Sequence, residues 1–190
     1  MSMPKFLAHL CFAASALAVA PIAMAQDASV PSPTAEHKIL AAEEGTWDAT
    51  VKAYPNGPES EPMVARGVEV NTVITGGLWV SSVFRADFGG MPFEGRGQFG
   101  YDPSKKKYVG TWVDSMSPTL TVLEGSYDAK TRTLTYHGDG VCPKDGSKLV
   151  QRMVTTTKGD GSREFTLYIT GTPTGGKEAK VMQILYTKWK

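Results

Sequence analysis

From Thr46 onward the chain alternates apolar and polar residues through segments at 46–54, 63–75, 78–88, 93–101, 108–115, 120–128, 133–139, 148–157, 163–170 and 178–188. Alternation with period two is what a half-buried strand demands, because successive side chains point to opposite faces of the sheet. Between the segments lie residues suited to tight turns: Gly76-Gly77, Gly89-Gly90-Met91-Pro92, Asp102-Pro103-Ser104, Lys158-Gly159-Asp160-Gly161 and Gly175-Gly176. The connections are too short to carry the crossover that a parallel pair requires. The pattern therefore predicts an all-β, antiparallel up-and-down meander of about ten strands. Closing such a meander into a barrel removes the edges that an open sheet would expose.

One segment has helical spacing instead. Ser32 as cap, Pro33 at the first helical position, Glu36 in the first turn and the stripe Ile39, Leu40 and Ala42 predict a short N-terminal helix that ends before Gly45. Upstream, Lys5, the apolar run Leu10 to Ala20, Pro21 and the small-residue site Ala23-Met24-Ala25 read as a secretory signal. The run is shorter than the ~20 residues a membrane-spanning helix needs, so no membrane span is expected. The expected plan is a signal over 1–25, a flexible leader over 26–33 and a single barrel over 34–190. The mature protein would be periplasmic or secreted. Signal removal takes away Cys11 and leaves Cys142 alone, so no internal disulfide can form and the core must hold the fold.

Lys+Arg 20 against Asp+Glu 19 is too balanced for a nucleic-acid partner or an acidic membrane surface, either of which would need a basic excess. With His37 and His137 as the mature histidines and a single Cys, a zinc site is not expected. The glycines at 95, 97 and 100 precede no helix and so form no dinucleotide loop. No cofactor is expected and no catalytic residue is assigned.

Register arguments fix much of the inner face. On 93–101 the odd residues Phe93, Phe99 and Tyr101 are apolar. Pairing Tyr101 with Tyr108 across the Asp102-Pro103 turn sets Phe99 opposite Gly110 and Gly97 opposite Trp112, so that rings cover glycine gaps. Trp112 and Asp114 then point inward. A four-residue loop from Met116 to Thr119 would set Thr121 opposite Asp114 and bring Leu123, Leu134 and Tyr136 onto the same inner face. It would also place the acid/base pair Glu124 and His137, directly opposite each other, on the solvent side. Strand 63–75 mixes Val68, Val70 and Ile74 in one phase with Glu69, Asn71 and Val73 in the other, and no inner face is assigned to it.

The inward set comprises Phe84, Phe99, Trp112 and Leu123, continued by Tyr136, Met153, Phe165 and Leu167. It describes either a packed core or the lining of a cavity for a small, largely apolar molecule, with Asp114 or Thr121 as polar contacts. Two alternatives stand beside that reading. One is a small-substrate enzyme using Asp114 or the Glu124 and His137 pair; the other is an envelope protein-interaction module.

Two resemblances bear on the fold. Gly45-Thr46-Trp47, at the start of the first strand after a short helix, resembles the Gly-x-Trp element of lipocalins and the wider calycin group. That likeness implies that Gly45 and Trp47 are structural, the Trp closing the barrel floor under a basic side chain, for which Lys188 is the candidate. Gly77-Leu78-Trp79-Val80, Phe93-Glu94-Gly95-Arg96-Gly97, Gly100-Tyr101-Asp102-Pro103, the run Tyr108 to Met116 and Tyr186-Thr187-Lys188 are similar in order and spacing to a bacterial family known as domain of unknown function 1579. This second resemblance spans 37–188. It implies a lipocalin-like barrel and brings no catalytic residues.

Overall fold

The computed structural model describes residues 30–142 and 145–189; the expected signal segment and Cys11 lie outside the described residues. Among these residues one α-helix, α1 (Ala35–Ala41), precedes ten strands: β1 (Gly45–Ala53), β2 (Met63–Ile74), β3 (Trp79–Asp87), β4 (Pro92–Asp102), β5 (Lys107–Asp114), β6 (Ser117–Asp128), β7 (Thr133–Val141), β8 (Lys148–Thr157), β9 (Arg163–Gly171) and β10 (Ala179–Lys188). Every strand pairs antiparallel with its sequence neighbours, and β1 pairs with β10, giving a closed barrel in the order β1-β10-β9-β8-β7-β6-β5-β4-β3-β2. The all-β meander expected from the alternation is thus the observed fold. Its strand limits follow the alternation closely, because the turn residues that end each segment are local signals.

The helix starts later than the sequence suggests. Thr34, in extended conformation, is the N-cap in place of Ser32, and its amide donates to Nδ1 of His37 at 3.1 Å. Pro33 therefore lies ahead of the helix, where it packs against Gly77. His37 and Leu40 are the buried residues of α1, while Ala42, expected on the apolar stripe, is exposed. The His37 ring meets Tyr101 edge-on at 5.8 Å.

Because the strands alternate in direction, all connections fall at two ends. The closed end carries α1 with the connections 75–78, 103–106, 129–132 and 158–162; the mouth carries 54–62, 88–91, 115–116 and 172–178, together with Cys142 and 145–147. The expected pairing of Tyr101 with Tyr108 and of Phe99 with Gly110 is present, as is that of Glu124 with His137. The β5–β6 register differs. Trp112 faces Thr121 and Asp114 faces Ser117, with a bulge between Trp112 and Asp114, so the turn is Ser115-Met116 rather than a four-residue loop. The Met116 amide donates to Oδ1 of Asp114 at 2.9 Å and fixes this tight turn. A bulge absorbs the displacement on one strand, and Trp112, Asp114, Thr121 and Leu123 all remain on the inner face.

Glycines create room for rings on that face. A Cβ on Gly110 would lie 2.5 Å from Phe99 Cδ1, and one on Gly97 would lie 2.6 Å from Phe99 Cε2. Phe99 thus occupies the space over both glycines. The Trp112 ring leans instead across Gly95, its diagonal neighbour, a correction to the expected cover of Gly97 and one within the reach of a large side chain.

Candidate functional site: the barrel interior

The site is a cavity of about 410 Å³ that runs from Leu40 and Glu43 beneath the helix to Asp114 and Met116 at the mouth. That size falls within the ~300–1,000 Å³ range of small-molecule pockets.

At its floor stands a cluster of buried polar groups. Arg163, at the start of β9, donates through one terminal nitrogen to Oε2 of Glu43 at 2.6 Å and through the other to Oε1 of Glu69 at 2.6 Å. Its guanidinium lies over the rings of Trp47, at 4.0 Å, and Tyr186, at 4.6 Å. Asn71 donates to Oε1 of Glu69 at 2.8 Å and to the Glu43 carbonyl at 3.2 Å, and the Trp47 indole donates to that same carbonyl at 2.9 Å. Only Nε of the Arg163 guanidinium is without a partner. Burial raises the Glu43 carboxyl above its ordinary value, although Arg163 opposes the rise. Burial also opposes the charge on Arg163, yet Glu43 and Glu69 hold its pKa above the usual value.

Strand β2 supplies this floor, and the cluster explains its mixed pattern. Ala65, Glu69 and Asn71 are buried, whereas Val64 and Val70 are exposed. Two polar side chains face inward because Arg163, 94 residues away in sequence from Glu69, pairs with the Glu69 carboxylate, and Asn71 donates in turn to Glu69 and to the Glu43 carbonyl. The exposed Lys188 is placed opposite Trp47 in the β1–β10 ladder, its ammonium 5.3 Å from the ring centre. Gly45, at φ +125°, makes room for it, since a Cβ there would come 2.9 Å from the Lys188 chain. The basic group stacked closest on Trp47 is nevertheless Arg163 at 4.0 Å. Its planar head can stack on a ring and bond two carboxylates at once, which an ammonium point charge cannot.

Aromatic and aliphatic side chains form the middle of the cavity, among them Phe84, Phe99, Tyr136, Met153, Phe165 and Leu167. The Phe99 and Tyr136 rings meet at 5.6 Å, tilted by 45° to each other. The hydroxyls of Tyr108 and Tyr136 are buried without a hydrogen-bond partner; burial pushes Tyr108 up to about 12 and raises Tyr136 further. At the mouth, the Trp112 indole donates to Oδ2 of Asp114 at 3.1 Å. Ser117 and Thr119 share a hydroxyl hydrogen bond of 2.7 Å, and the exposed Met116 and Val141 form part of the rim.

Over residues 32–188 the chain matches the family described as Protein of unknown function (DUF1579). The chain belongs to that family. No curated protein matches it.

Within this DUF1579 barrel, nine of the expected lining residues reach the cavity: Phe84, Phe99, Trp112, Asp114, Thr121, Tyr136, Met153, Phe165 and Leu167. Leu123 does not. It is fully buried and packs over Gly138, where a Cβ would come 2.7 Å from its Cδ2; it is therefore wall rather than lining. Glu43, Glu69, Asn71 and Arg163 are lining residues that alternation alone does not reveal. The one available signal was that Glu69 and Asn71 share a phase with Ala65.

Glu124 and His137 remain outside the cavity. Glu124 binds Lys105 at 2.7 Å and Lys107 at 3.0 Å, and hydrogen bonds from those two lysines lower its pKa. His137 is exposed opposite it. Cys142 is buried and free, its amide bonded to the Ser147 carbonyl at 2.8 Å. Among the described residues no cluster of three or more His, Cys, Asp or Glu could hold a metal. Nor is any helix there long and apolar enough to cross a membrane.

Proposed function

We propose that this DUF1579 protein is an exported carrier that holds a small, largely apolar molecule inside its barrel. The observation that carries the reading is the 410 Å³ cavity, in which Phe84, Phe99, Trp112 and Phe165 share the lining with a few convergent polar groups. Such a combination suits a ligand whose body is apolar and whose orientation is fixed by one or two polar atoms. Export rests on the signal-like segment ahead of Gln26.

Native mass spectrometry of the protein purified from its own host's envelope fraction tests both halves. A carrier is expected to hold a stoichiometric additional mass of a few hundred daltons, released by denaturing extraction, on a polypeptide that begins near Gln26. A clean apoprotein that also takes up no neutral fluorescent hydrophobe would overturn the carrier reading. An intact Met1 in the isolated protein would overturn export.

A further inference from the structure

Charge is spread unevenly over the cavity wall. Its acidic and basic lining residues are Glu43, Glu69, Asp114 and Arg163, three carboxyl groups against one guanidinium. Both terminal nitrogens of that guanidinium are occupied, at 2.6 Å each, by Glu43 and Glu69. An entering anion would approach an acidic wall whose single cation is already engaged, with little solvent to screen the repulsion.

Asp114 stands apart from this cluster, half-buried at the mouth. Its two hydrogen bonds come from neutral donors, the Trp112 indole at 3.1 Å and the Met116 amide at 2.9 Å. They hold the carboxylate in place without neutralising it. Beside it lies a set of rings: Phe84 and Phe88 each meet Phe93 edge-on, at 5.9 and 6.0 Å, and Trp112 packs in the same cluster. Ring faces carry the negative side of an aromatic quadrupole and attract cations, Trp most strongly. A carboxylate fixed against an indole at the mouth of an aromatic cavity is the chemistry that recognises an organic ammonium group.

We infer that the cavity selects monocationic amphiphiles, with an apolar tail inserted towards Phe99 and Tyr136 and an ammonium head held at the mouth by Asp114 and Trp112. The orientation follows from hydration. A head at the mouth keeps part of its water, whereas carrying it to the floor would strip that water away. The inference rests on the carrier reading and names its ligand class.

The test compares probes that share one tail: decyltrimethylammonium, 1-decanol and decanoate, each displacing the neutral fluorophore N-phenyl-1-naphthylamine at pH 7.5. The expected order is ammonium, then alcohol, then carboxylate, with the ammonium roughly tenfold tighter than the alcohol. Asp114→Asn retains an oxygen that can accept the indole N–H; it should remove most of that advantage and leave decanol within about twofold. In the wild type the advantage should also shrink towards 1 M salt, where the screening length falls to about 3 Å.

Decanoate binding as tightly as the ammonium would overturn the inference, as would a folded Asp114→Asn protein with undiminished ammonium affinity. Should that variant fail to fold, an ammonium advantage in the wild type that salt leaves unchanged would have the same force. Failure of the fluorophore and all three probes to bind would remove the carrier reading itself. Tight binding without cation preference would remove the ammonium inference alone.

Discussion

At the closed end of the barrel Arg163 reaches two carboxylates at 2.6 Å, with Trp47 and Tyr186 over its faces; at the mouth Asp114 is met by an indole N–H and a backbone amide. Both ends place ionisable groups against aromatic rings. They differ in what remains to be satisfied. Apart from Nε of Arg163, the floor closes on itself, and it ties five elements together, since Glu43 follows α1, Trp47 lies on β1, Glu69 on β2, Arg163 on β9 and Tyr186 on β10. The mouth is held in position but keeps an unmatched charge. A buried ion cluster whose members bind one another is a structural device, whereas an anchored group left without a counter-charge is suited to an outside partner.

Cutting the floor should give the largest effect. Arg163→Met leaves Glu43 and Glu69 without their cation and should cost about 3–5 kcal/mol in chemical denaturation. Adding Glu43→Gln and Glu69→Gln in the same chain should recover much of that loss, and no recovery would mean that ring stacking rather than charge pairing dominates. At the mouth, Gly95→Val puts a side chain where the Trp112 ring lies. It should cost about 1–3 kcal/mol, shift the tryptophan emission and abolish uptake of a cavity probe. Unchanged emission would show that the ring has other room.

Acidity should separate the two ends further. Burial gives Glu43 a raised pKa in the folded state, so the folded protein holds that proton more tightly than the unfolded chain does. This contribution is fully present below the ordinary carboxylate range and is lost as pH climbs through the raised value. Urea midpoints of the wild type should fall over that stretch more than those of Glu43→Gln; equal slopes would place the effect elsewhere. The smallest change is expected from the outer-face pair. Glu124→Gln and His137→Ala should leave both the midpoint and probe uptake unaltered, because exposed pairs contribute little.

The barrel itself was legible in the sequence because its signals are local. Turn residues marked the strand ends, and in β4 and β5 rings opposite glycines fixed the pairing. Three features were hidden, each for a physical reason. The inward phase of β2 depends on Arg163, whose contact with Glu69 spans 94 residues. The β5–β6 register depends on a bulge, and a bulge preserves the inward face, so alternation alone cannot reveal it. The cavity was also hidden, because inward side chains alternate in the same way around a filled interior and a hollow one. Barrel radius and side-chain volume decide between the two.

Nine of the ten strand ladders join neighbours in sequence; the tenth joins Trp47 to Lys188. No ring can therefore exist until the final strand is in place. Up to that moment the growing sheet presents two raw edges, on β1 and on β9, that can recruit strands from other chains. The closing step brings together residues from opposite ends of the fold, the kind of pairing that slows folding most. A chain shortened by β10 should consequently aggregate rather than persist as a looser barrel.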